Sequence, residues 1–163
     1  MSSDPINYNT LLGLTDELLA SKDNVRLYVG GNSMYPHLRR GDYVTITKTP
    51  FQQLKAGDII VFKSFNKYIA HRIIKIIKTS EGNQVIPKGD SCKKADTPVS
   101  QDKYFGKITS FERKKRKVDL ESAFYIKYNV FLAQISLYTP VVYSFIRFFK
   151  HLFRISKQKT ASL

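Results

Sequence analysis

From Val25 to Phe111 the chain repeats one pattern: short runs of β-branched and aromatic residues, each broken by turn-forming residues. The runs are Val25–Gly30, Tyr43–Thr47, Ile59–Phe62, Tyr68–Ile77, Gln84–Pro87 and Tyr104–Phe111. Between them stand Gly41-Asp42, Gly57-Asp58, Glu81-Gly82-Asn83 and Lys88-Gly89-Asp90, residues that reverse a chain at little cost. A stretch punctuated this often has no room for long helices, so it predicts a small, mainly β domain over residues 25–119. Two flanks complete the expectation. A short N-terminal helix, capped at Asn9 or Thr10 and running to about Ser21, occupies residues 1–24. A C-terminal hydrophobic and cationic helical segment occupies residues 120–163.

The C-terminal flank carries no charge from Tyr128 to Ile146 and then turns basic, with Arg147, Lys150, Arg154, Lys157 and Lys159. A membrane span needs ~20 mostly apolar residues. Pro140 and the polar residues Asn129, Gln134 and Ser136 count against one, so a capping helix, an interfacial helix and a span all stay open. With 27 Lys+Arg against 13 Asp+Glu the net charge is +14, which attracts anionic lipid or nucleic acid. Only about 24 residues precede the β domain, too few for a helix-turn-helix, so specific nucleic-acid recognition is not expected. The lone Cys92 excludes an internal disulfide, and no Cys/His cluster suggests a metal or cofactor. The first residues have neither the basic nor the apolar region of a secretory signal or anchor, which points to a cytoplasmic or membrane-associated protein.

The chemistry centres on Gly31-Asn32-Ser33-Met34-Tyr35-Pro36, which places Ser33 in a sharp turn between two strands. Gly30 and Gly31 upstream would allow close backbone approach, and Gly41-Asp42 closes the return into the next strand. A serine exposed in this way, beside the main-chain N–H groups of its own turn, is a candidate nucleophile. His71 lies on a later strand among apolar residues, where an ordinary core position is the plain alternative. Imidazole is the side chain best suited to take a serine proton near neutrality. His37 falls in the serine loop and His151 in the cationic tail. Asp90 and Asp96 follow a later strand, either as solvated loop carboxylates or as the group that orients the imidazole. Asp42 and Asp58, each after a glycine and before a strand, read as turn caps.

Four segments then fall into a known order. Gly31-Asn-Ser-Met-Tyr-Pro-His-Leu-Arg-Arg-Gly-Asp resembles the nucleophile box of the signal peptidase I family and its relatives, the self-cleaving SOS-repressor proteases. Lys55-Ala-Gly-Asp-Ile-Ile-Val-Phe is similar to the second box, Ala70-His-Arg-Ile-Ile to the general-base box, and Pro87-Lys-Gly-Asp to Gly106-Lys-Ile to the last. Where bacterial-type members carry a lysine, this chain has His71, as in the endoplasmic-reticulum and archaeal-type branch. None of Lys63, Lys67 and Lys75 stands in the matching position. The resemblance implies a signal-peptidase-like β catalytic domain acting as a serine endopeptidase on a peptide or precursor protein. Ser33 would be the nucleophile, His71 the base, and Asp96 its orienting acid, with Asp90 supporting the loop or sharing that role. The turn residues Ser33, Gly31 and Met34 would frame the oxyanion site, with the Ser33 N–H as donor. Gly31 stands where the family commonly has a second serine. The competing expectation is a basic module that binds nucleic acid or a membrane surface, with a relic catalytic site. An anionic membrane would then be engaged through the C-terminal segment.

Overall fold

A computed structural model describes residues 24–65, 67–80 and 82–136. The expected N-terminal helix and everything after Ser136 lie outside the described residues. Within them the chain is mainly β, with strands β1 (Asn24–Tyr28), β2 (Tyr43–Thr47), β3 (Ile59–Ser64), β4 (Lys67–Thr79), β5 (Gly82–Lys88), β6 (Tyr104–Arg113) and β7 (Arg116–Asp119). All pair antiparallel in one sheet of order β1-β2-β6-β3-β4-β5, and β7 pairs β6.

Alternation explains where the core sits. β3 is central, and its run Ile59-Ile60-Val61-Phe62 is buried throughout. Ile59 and Val61 join one cluster with Met34, Leu38, Val44, Ile46 and Phe111. Ile60 and Phe62 join another with Phe51, Leu54, Ile73, Val85 and Val99. Successive side chains on a strand point to opposite faces, so both faces of the sheet centre are covered and the strand reads as a continuous apolar run.

One strand was not expected. The basic run Arg113-Lys114-Lys115-Arg116-Lys117 is a hairpin, with Lys114 and Lys115 both in the left-handed region at φ 49° and 63°. Positive φ at both central residues is what a two-residue turn of this hand needs. Lysine is an uncommon choice there, and the usual Asn-Gly signal is missing.

Residues 123–136 are helical and pack on the sheet through Asn129, Ala133 and Ser136, all buried. Close approach is possible because Gly57 faces the helix backbone. A Cβ at Gly57 would lie 2.8 Å from the Val130 nitrogen, and its φ of +100° also favours glycine. No helix among the described residues is long and apolar enough to cross a membrane. Residues 128–136 of the uncharged stretch therefore sit against the β domain, while 137–146 lie outside the described residues.

Candidate active site

The serine loop is pinned from beneath. Met34 and Leu38 are buried in the core, and the N–H of Leu38 donates to the Met34 carbonyl at 2.9 Å. The Asn32 carbonyl takes the N–H of Tyr35 at 3.0 Å, and the Tyr35–Pro36 peptide bond is cis. Ser33, between these anchors, is half-buried, and its hydroxyl makes no hydrogen bond to a described residue. Neither its main-chain N–H nor that of Met34 is committed to a described carbonyl. Gly41 accounts for the return: with φ +99° it donates to the Val29 carbonyl at 3.0 Å. Gly30 and Gly31 correct the sequence expectation. A Cβ on either would meet nothing within 4 Å, and neither has a positive φ, so no close approach occurs there.

The close approach is at Gly89. A Cβ there would strike the Cys92 sulfur at 2.6 Å, the Ser33 carbonyl oxygen at 2.7 Å and Nε2 of His71 at 2.8 Å. The Ser33 loop and the His71 ring thus converge on Gly89, where the backbone has no side chain to keep them off. The N–H of Ser91 donates to the Ser33 carbonyl at 2.9 Å. The Ser91 hydroxyl donates to the carbonyls of Asn32 and Ser33 at 2.9 and 3.0 Å. Sequence reasoning read Lys88-Gly89-Asp90 as a turn and as the opening of the last family box, and passed over Ser91. Contacts across 58 positions leave no local signal.

His71 pairs with Ile60 across β3–β4 and lies against Phe62. It is only 6% exposed, with Nδ1 2.5 Å from the Asp96 carboxylate and Nε2 buried without a partner. Asp96 reaches it because the loop after β5 folds back on that strand. The N–H of Asp96 donates to the Pro87 carbonyl, and Val85 and Val99 exchange main-chain bonds. A carboxylate on Nδ1 holds the proton there and leaves Nε2 as the basic nitrogen.

Asp90 goes elsewhere. Its two oxygens accept from Nε and Nη2 of Arg72, both at 2.8 Å, while Nη1 of Arg72 reaches the Gly57 carbonyl and Oδ1 of Asn129. Asp90 therefore supports the loop and does not touch the imidazole. Lys88, also buried, donates from Nζ to the carbonyl and hydroxyl of Ser136, and burial lowers its pKa. Asp42 is more than a turn cap. It accepts from the Arg39 N–H and forms a two-point pair with Arg113. Asp58 caps Lys55 and also meets Lys107 at 2.9 Å.

Three groups could compete with this assignment. His37 also has an unpartnered buried Nε2. It is packed among Phe111, Tyr125 and Tyr128, and burial, aided by Arg72 and Arg113, lowers its pKa to about 4. Among the described residues, no carboxylate hydrogen-bonds its ring. Cys92 shares the Gly89 corner, but burial and then Asp96 push its thiol up, so it stays protonated and weakly nucleophilic near neutrality. Lys63, Lys67 and Lys75 are exposed.

A cavity of about 260 Å³ opens beside Ser33, between residues 27–31 of the β1 end and residues 68–70 of β4, with Met34, Leu38 and Val61 as its floor. Both walls are strand edges. Among the described strands β1 pairs β2 alone, and β4 pairs β3 over Lys67–Arg72 but β5 from Arg72 onward. Among the described residues, no strand lies on either edge along the cavity.

The profile of the Peptidase S24-like family matches residues 4–109, which include every residue of the cluster around Gly89. A comparison with curated proteins returned no match.

Proposed function

Since the chain belongs to the Peptidase S24-like family, we propose that it is a serine endopeptidase working through Ser33, His71 and Asp96. The observation that carries this reading is the state of His71: one ring nitrogen on a carboxylate, the other unspent and aimed at the Gly89 corner beside the Ser33 loop. A hydroxyl bonded to no described residue and a ring nitrogen without a hydrogen-bond partner are the two halves of an acyl-transfer dyad awaiting substrate. Such contacts are often open until substrate arrives.

In the proposed reaction, an extended peptide enters the slot between β1 and β4 and completes the sheet through main-chain hydrogen bonds. Gly30 and Gly31 leave that wall bare, and the apolar floor accepts a modest side chain next to the scissile bond. The Ser33 hydroxyl attacks the carbonyl carbon while Nε2 of His71 takes its proton. Asp96 stabilises the imidazolium so formed. The N–H groups of Ser33 and Met34, committed to no described carbonyl, would receive the oxyanion. The imidazolium then returns its proton to the leaving amine, and water, deprotonated by the same nitrogen, releases the acyl group. A histidine base aligns the chain with the Ser/His branch of the wider signal-peptidase-like superfamily. A leader or maturation peptide is the substrate class this implies.

The test is cleavage of a denatured-protein digest by the purified chain, with new termini read by mass spectrometry. Cuts made by the wild type and missing with Ser33→Ala and with His71→Ala support the reading. Identical termini from all three proteins would refute it.

A further inference from the structure

We propose that the outward face of the C-terminal helix, with the β6–β7 hairpin tip beside it, docks this protein on an anionic lipid surface. The helix is inverted with respect to an ordinary surface helix, which buries apolar residues and shows polar ones. Its inner side is Asn129, Ala133 and Ser136, held by hydrogen bonds from Arg72 and Lys88. Its outer side shows Phe124 at 71%, Phe131 at 55% and Ile135 at 42% exposure. At 100° per residue these three fall on one stripe. The inner contacts are specific and polar, so the helix is not free to roll over and bury that stripe. A contiguous apolar face fixed outward marks an interaction surface.

Charge selects the occupant. Lys114, Lys115, Arg116 and Lys117 at the hairpin are all exposed, and Lys127 is exposed on the helix itself. Tyr125, in the first turn of the helix, lines the same depression as Arg113, Lys114 and Arg116, so the basic tip and the helix are neighbours. An apolar stripe bordered by cations matches the interface of an anionic bilayer, where rings enter the acyl boundary and lysines meet headgroups. A second copy would bring its own basic hairpin against the first. Nucleic acid would leave the phenylalanines unused.

The inference is independent of catalysis and is tested without it. The full chain is floated with phosphatidylcholine vesicles, with and without phosphatidylserine. The wild type should float only with phosphatidylserine and less as salt rises. The triple variant F124S/F131S/I135S should lose flotation. The variant K114N/K115G, whose Asn-Gly turn suits the same backbone, should bind at least about tenfold more weakly. That variant keeps the test decisive if the triple variant melts early. No flotation, flotation indifferent to phosphatidylserine, or a folded triple variant that floats like the wild type would each overturn the proposal. So would a lipid-free dimer that the triple variant abolishes.

Discussion

Two neighbours on β4 face the same problem and solve it differently. His71 and Arg72 are both buried, and each is met by an aspartate from the loop after β5. Arg72 is saturated: Asp90 takes two of its donors, and Gly57 and Asn129 share a third group. His71 is half-satisfied, with Asp96 on one nitrogen and nothing on the other. Leaving a buried polar atom unpaired costs about 1–3 kcal/mol, so a fold tolerates it where something is gained. Saturation makes Arg72 part of the architecture. The unspent nitrogen makes His71 available for chemistry, and the carboxylate behind it separates it from His37, whose idle nitrogen is sealed among aromatic rings.

The contrast predicts opposite responses on the two sides. Ser33→Ala and His71→Ala should keep the melting temperature and lose at least about 10⁴-fold in peptide turnover, the scale set by removing one member of such a triad. Asp96→Asn should fall in the same direction, read as kcat at fixed fold. If His71→Ala instead unfolds the protein with activity per folded molecule intact, the contrast breaks.

Asp90→Ala should do the reverse. It leaves a guanidinium buried and unpaired, which costs about 3–5 kcal/mol of stability, measured by urea unfolding. Activity per folded molecule should change far less than in Asp96→Asn. Equal catalytic loss in the two aspartate variants would erase the distinction between them.

His37 gives the next effect, in pH. Its folded pKa of about 4 lies below the ordinary 6.5. Above pH 6.5 neither state is protonated and its contribution is complete. As pH falls from 6.5 towards 4 the unfolded chain takes up a proton that the fold refuses, so stability drops by roughly 3 kcal/mol. His37→Phe should flatten that part of the stability curve, and an unchanged slope would remove this assignment.

The smallest effect belongs to Ser91→Ala. It deletes only the side-chain bonds to the carbonyls of Asn32 and Ser33 and keeps the main-chain one. A loss of about 1 kcal/mol in transition-state stabilisation is expected, a several-fold fall in kcat. The conservative Ser91→Thr should restore it.

Strand periodicity and turn residues were legible over Val25–Phe111 because both are local, and every strand expected there is present. The serine turn, the histidine strand and the two aspartates could also be singled out. Which aspartate meets which partner could not, because that depends on how the loop after β5 folds back onto Pro87 and Val85. Gly30 and Gly31 drew attention as a pair, yet the glycine crowded at the site is Gly89, met by residues from three separate segments. The hairpin at Lys114-Lys115 was hidden because lysine carries no turn signal. In the C-terminal segment Asn129 and Ser136 counted against a span, and no helix among the described residues is long and apolar enough for one. That they face Arg72 and Lys88 could not be read, because those partners stand 57 and 48 positions earlier in the chain.

The most direct test is covalent. The full chain is treated with a fluorophosphonate probe and the adduct is mapped by mass spectrometry in wild type, His71→Ala and Asp90→Asn. The account predicts a single adduct on Ser33 in the wild type, lost in His71→Ala and retained in folded Asp90→Asn. A Ser33 adduct that forms just as fast without the His71 imidazole, or a wild type that never labels at Ser33, would contradict it.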